Sequence, residues 1–171
     1  MIKRRVSVLF ILLFSIAGLY FMIRFYKVFF WSNTKFNNKY SYVFIDRDDN
    51  VDSLLNHLQP LLKSLENFSI AAEKKGFFSK VRSGKYKIRK GMSNNEIVNI
   101  LRSERLTTKV IFNNQERLEN LASRISQQIE ADSLELLHAF RDEKFLKLNG
   151  FSSKNALAMY IPDTYNLFWD V

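Results

Sequence analysis

From Val6 to Ile23 the chain runs through 18 residues without a charge (VSVLFILLFSIAGLYFMI). As a helix rising 1.5 Å per residue, that run is about the minimum needed to cross a hydrocarbon core of roughly 30 Å. A cleavable export signal has a shorter apolar core followed by small residues, whereas Ser7, Ser15, Ala17 and Gly18 lie inside this run. The pattern therefore predicts an uncut transmembrane helix. Behind it, Tyr26, Phe29, Phe30 and Trp31 have the amphipathic or aromatic character of an interfacial belt.

The remainder of the chain alternates between short strand and helix patterns. Ser32–Tyr40 (SNTKFNNKY) is polar and Asn-rich and reads as a linker, and Ser41–Ile45 (SYVFI) as a strand. Val51, Leu54, Leu55, Leu58, Leu61, Leu62 and Leu65 recur at helical spacing, with Asp49 or Asn50 placed to cap the start. Pro60 should kink or divide that helix, because it lacks an amide donor and crowds the preceding turn. A further short helix stops near Gly76. In Gly84–Ile88 (GKYKI) the Tyr86 and Ile88 side chains alternate with Lys85 and Lys87, as in a half-buried strand. Ser93-Asn-Asn-Glu96 is a capping box opening a helix with Ile97, Ile100 and Leu101 on its apolar face. Thr107–Phe112 (TTKVIF) is then a second strand. Leu118, Leu121, Ala122, Ile125 and Ile129 mark another helix, and Asp132-Ser-Leu-Glu135 opens one more, with Gly150 closing the helical region. The fold class is α+β. The expected division is a basic tip and anchor at 1–31, a linker at 32–40, a small strand-helix-strand subdomain with its preceding helices at 41–112, and the start of a mixed α/β domain at 113–171. The apolar stretch Ala156–Val171 predicts a domain whose remaining elements lie outside this sequence.

Charge changes the picture in one respect. The chain carries 26 basic and 17 acidic residues, a formal net charge of +9, which invites a nucleic-acid reading. Five of the basic residues (Lys3, Arg4, Arg5, Arg24 and Lys27) flank the apolar run. The body is left with 21 against 17, too balanced for a nucleic-acid footprint. Lys3-Arg4-Arg5 place the N-terminus in the cytoplasm and the body outside, while Arg24 and Lys27 oppose that orientation and snorkel. There are no cysteines, so disulfides and thiolate metal sites are excluded. His57 and His138 sit apart, without acids at metal-ligand spacing, and no metal is expected. No phosphate-binding glycine loop and no nucleophile-base arrangement occurs. Glu96 is accounted for by the capping box. Asp163 lies in Pro162-Asp-Thr-Tyr165, where Pro-Asp-Thr is ordinary turn chemistry. Tyr160, Tyr165, Phe168 and Trp169 are either rings at a binding surface or core. Tyr86 and Lys87 are either a ligand-facing strand edge or a solvated strand with a buried Tyr.

Several segments, taken in order, resemble the YceG-like family of endolytic murein transglycosylases, particularly its Bacteroidetes branch. They are the anchor, Leu58-Gln-Pro60-Leu-Leu62, Ser83-Gly-Lys-Tyr-Lys-Ile-Arg-Lys-Gly-Met-Ser93, Phe112-Asn-Asn-Gln-Glu-Arg-Leu118 and Ile161-Pro-Asp-Thr-Tyr165. The resemblance implies a single-pass inner-membrane protein with a periplasmic body. It also implies a LysM-like subdomain around the strand-helix-strand unit and a catalytic domain beginning near residues 107 to 120. The implied reaction cleaves bonds between N-acetylmuramic acid and N-acetylglucosamine in nascent peptidoglycan with 1,6-anhydro ring closure, and requires no cofactor. Glycan strands are the implied partner, with peptidoglycan synthases as further candidates. Under this resemblance Asp163, Thr164, Tyr165, Tyr86 and Lys87 are the substrate-binding candidates. The catalytic glutamate is expected in a segment resembling Ala-Ser-Ile-Val-Glu-Lys-Glu, which residues 1–171 do not contain. The alternative is a membrane-tethered peptidoglycan-binding protein without activity.

Overall fold

Helix α1 (Ile2–Phe29) opens a computed structural model that describes residues 2–171, with side chains from Ile11 onward. The Lys3, Arg4 and Arg5 side chains, on which the expected orientation rests, lie outside the described residues. The stretch Ile11–Phe29 has a mean hydropathy of 1.6 and nearly all its side chains exposed, so it is long and apolar enough to cross a membrane. The helix does not stop with the apolar run at Ile23. It continues through Arg24 and Lys27, since helical hydrogen bonds are indifferent to side-chain polarity, and Val28 near its end is buried.

The chain divides into two compact units. Unit 1 comprises Met1–Ser41, Val51–Val81 and Ile88–Ser103, and unit 2 comprises Tyr42–Asn50, Arg82–Lys87 and Glu104–Val171.

In unit 1, α1 packs on α3 (Leu65–Lys74) and α4 (Asn94–Ser103). Helix α2 (Val51–Leu58) ends two residues before Pro60, as a missing amide donor dictates. Ser64 restarts the chain as α3, its hydroxyl accepting from the Asn67 amide at 3.2 Å, and Gly76 turns out of it at φ +61°. The capping box of α4 is present: the Ser93 amide donates to Glu96 Oε2 at 2.8 Å, and the Glu96 amide to Ser93 Oγ at 3.4 Å. That hydrogen bonding from Ser93 holds the Glu96 carboxyl below its usual range.

Residues 32–40 have the composition of a linker, but their first part is core. Asn33 and Thr34 are 5% and 4% exposed. The Asn33 amide donates to Met92 O at 2.9 Å, and its side-chain Nδ2 donates to Ser64 O at 2.7 Å and Asn94 Oδ1 at 2.6 Å. Asn94, fully buried, donates through Nδ2 to the Val28 carbonyl at 2.7 Å. Polar residues here are buried because every polar group is matched.

Strands β1 (Tyr40–Ile45) and β2 (Gly84–Arg89) form one two-stranded sheet, and β3 (Thr107–Phe112) pairs antiparallel with β4 (Asp163–Phe168) in another. The strands flanking α4 therefore do not form a ladder with each other, and among the described residues they share a single bridge, Lys85 to Leu106. Unit 2 also holds α5 (Leu118–Ser126), α6 (Ser133–Phe140) and α7 (Glu143–Leu148). Val110, Phe112, Leu121, Ala122, Ile125, Ile129 and Phe140 form its core under β3, α5 and α6. Asp132 and Glu135 complete the second capping box, at the start of α6.

Candidate functional site

The register of β3 and β4 places Phe112 opposite Asp163. The chain leaving β3 and the chain entering β4 are thus brought together at one end of the sheet. Asn113, Asn114 and Gln115 on one side and Lys154–Pro162 on the other enclose a cleft of about 520 Å³. Its apolar floor comes from Phe112, Leu121, Leu157 and Tyr160. Tyr160 lies against the Phe140 ring, 4.5 Å between centroids, and burial pushes its hydroxyl pKa up. The polar residues of the lining are Asn113, Asn114, Gln115, Lys154 and Asn155; Asn155 Oδ1 accepts from the Ser152 amide and hydroxyl at 2.7 and 2.8 Å, and Gln115 Nε2 donates to Asn113 O at 3.2 Å. Amides both donate and accept, an ammonium attracts carboxylates, and an apolar floor accepts a sugar face. Among the described residues no carboxylate lines the cleft.

Asp163 and Thr164 follow Pro162 directly, and both are exposed. The Asp163 carboxylate accepts from the Thr164 amide at 2.6 Å, which is turn chemistry. Tyr165 stacks on Phe112 at 5.5 Å with an interplanar angle of 8°, and its hydroxyl donates to Ile161 O at 2.6 Å. The ring thereby braces the segment that forms the cleft wall. Tyr86 is corrected: it is fully buried, its hydroxyl donating to Arg82 O at 2.9 Å. Its ring offers no face to a ligand, and burial raises its pKa. Lys87 is half-buried on the other face of β2.

A second group in unit 2 was not legible in the sequence. Asp170 is ion-paired with Arg105 and accepts from Ser83 Oγ at 2.6 Å. Burial acts to raise the Asp170 pKa, but hydrogen bonds from Ser83 and its own amide, together with Arg105, outweigh it and hold the carboxyl below its usual value. The Arg105 guanidinium lies 4.3 Å from the Phe168 ring centroid. Gly84 makes this possible, for a Cβ there would come within 2.9 Å of Arg105 Nε. Trp169 packs edge-on to Phe44 at 5.0 Å. The Ser83-Gly84 pair is thus part of a clamp on the residues that follow β4.

A further pocket, bordered by Asp46, Asp48, Glu130, Asp132 and Glu135, is acidic. Its carboxylates have structural partners: Glu130 accepts from the Arg47 amide at 2.7 Å and from its Nε at 3.2 Å, and Asp132 and Glu135 cap α6.

Residues 43–171 match the YceG-like family. The chain belongs to that family. All residues that line the cleft fall within the matched region. A crystal structure of a YceG-like protein from Listeria monocytogenes is similar over 77% of this chain at 16% identity, with a TM-score of 0.39. This chain spans 49% of that protein's length. No curated protein matches the sequence.

Proposed function

We propose that this protein is the membrane-anchored, glycan-binding portion of an endolytic murein transglycosylase, with its body on the periplasmic side and the cleft between β3 and β4 receiving a nascent peptidoglycan strand. One observation supports the reading: within the region that matches the family, residues 112–115 and 154–162 line a single cleft with an apolar floor and amide-bearing and cationic residues at its side, a composition suited to N-acetylated sugars. The family is generally associated with lytic transglycosylases. In that reaction a carboxylic acid protonates the leaving glycosidic oxygen. The muramic acid's own 6-hydroxyl then closes on the anomeric carbon as the acid takes up its proton. Lys154 would pair with the lactyl or stem-peptide carboxylates, the four amides with acetamido groups and hydroxyls, and Asp163 and Thr164 with the sugar at the edge. Lys87 is a secondary contact on the other sheet. The acid itself belongs, by resemblance, to a glutamate motif that is not in residues 1–171.

A second reading, a tethered binder without catalysis, is favoured by the absence of a carboxylate from the described cleft lining. Titrating the detergent-solubilised chain with muramidase-released muropeptides tests the shared part of both. Asn114→Ala combined with Asn155→Ala should weaken binding by about three- to tenfold per lost hydrogen bond. Equal affinity in a folded double variant removes the cleft from the proposal. Mass spectrometry for 1,6-anhydromuramoyl ends then separates enzyme from binder.

A further inference from the structure

Charge is divided very unequally between the two units. Unit 1 holds 14 basic and 4 acidic residues, whereas unit 2 holds 12 and 13. The entire positive excess of the chain lies in the unit that contains the membrane helix. It persists when Lys3, Arg4 and Arg5 are set aside, and it lies on the side of the helix where basic residues oppose an outward orientation. Crossing the membrane does not require these charges.

Their placement suggests what they meet. Arg24 reaches Glu66 at 4.0 Å, and Lys63 Nζ donates to the Ser32 carbonyl at 3.5 Å. The first turn of α3 and the residue before its cap therefore lie beside the last turns of α1, level with its exit from the apolar run. At that level Tyr26, Phe30 and Trp31 are 56%, 49% and 59% exposed, and Lys27, Lys35 and Lys63 are exposed among them. Aromatic rings with a polar edge partition to the headgroup layer, and long cationic side chains reach from there to lipid phosphates.

We propose that this collar seats unit 1 on a membrane surface by binding the phosphate groups of anionic phospholipids. In the orientation proposed above, this is the outer leaflet of the membrane that α1 crosses. The occupant is the lipid headgroup, since the cations lie near the end of a helix long and apolar enough to cross a bilayer and beside exposed aromatic residues.

Electron spin resonance of spin-labelled phosphatidylglycerol and phosphatidylcholine, with the full chain in symmetric nanodiscs, measures the relative association of the two lipids. The chain should prefer phosphatidylglycerol, and the preference should fall steeply with added salt. Lys27→Gln, Lys35→Gln and Lys63→Gln together should reduce it by up to about fivefold per residue, while the three Arg replacements should retain it. An unchanged preference in the triple Gln variant, with native circular dichroism, overturns the proposal, as does equal association of both lipids with the unaltered chain. Because the nanodisc leaflets are equivalent and no glycan is present, neither result depends on the periplasmic glycan reading.

Discussion

Replacing Asn94 by Ala tests how α1 is fixed to unit 1. The side chain is fully buried and makes two hydrogen bonds, donating to the Val28 carbonyl at 2.7 Å and accepting from Asn33 Nδ2 at 2.6 Å. Alanine removes both and fills no new space, so the Val28 carbonyl and one Asn33 N–H are left buried and unmatched. Each stranded group costs about 1–3 kcal/mol, giving about 2–6 kcal/mol in all. A domain of this size is stabilised by about 5–15 kcal/mol. Local opening around residues 28–35 should therefore rise at least about 30-fold, at a factor of ten per 1.4 kcal/mol. Hydrogen exchange by mass spectrometry on the chain in micelles reads this directly. The amides of Asn33, Lys35 and Lys63 are the reporters, because they are bonded to Met92 O, Leu61 O and Asn33 O. Asn99→Ala, an exposed residue of the same helix, is the control and should leave exchange at those amides nearly unchanged. Exchange in Asn94→Ala within about threefold of wild type would refute the reasoning, since a buried polar network cannot lose its centre at so small a cost.

Gly84→Ala should destabilise unit 2 by about 1–3 kcal/mol, because φ there is +134° and the new methyl meets Arg105; urea unfolding followed through Trp169 fluorescence measures it. The Asp170 pKa is lower in the folded chain than its usual value, so its contribution is present above the unfolded value of about 3.9 and is lost as pH falls through the folded one. Asp170→Asn should accordingly be less stable than wild type at neutral pH and converge with it in acid, as an acid titration of the same fluorescence would show.

Much of the local structure was legible because it is written in adjacent residues. Pro60 separates two helices, Ser93/Glu96 and Asp132/Glu135 form capping boxes, and Tyr86 and Ile88 alternate inward as their spacing predicts. The misreadings share one cause. Asn33 looked like linker because its partners, Ser64 and Asn94, are 31 and 61 residues away, and Thr34 because its hydroxyl accepts from the Gly91 amide 57 residues on; a polar side chain advertises solvent until its partner is known. Strand pairing is equally illegible: nothing in residues 84–112 says that β2 joins β1 or that β3 joins β4. At the candidate site, Pro162-Asp-Thr-Tyr165 stood out as a motif, but Lys154 and Asn155 acquire meaning only from the tertiary fold that brings them to one cleft with Asn113 and Asn114. Arg105 and Asp170 were hidden for the same reason, although Gly84, at a position where a strand would tolerate most residues, hinted at a close neighbour.

The bond from Asn94 to the Val28 carbonyl ties the last turn of α1 to the buried network of unit 1, which makes the helix a mast rather than a leash. A leash lets its load wander over many heights and headings, whereas a mast sets both, since each residue of helix adds 1.5 Å of height and about 100° of rotation. Insertion of a single residue between Ile23 and Val28 would thus turn the packed part of unit 1 by more than a quarter circle about the axis of the apolar run while barely lifting it. Four inserted residues would nearly restore its heading about 6 Å higher. Phase along the helix, and not its length alone, is then a property on which selection can act.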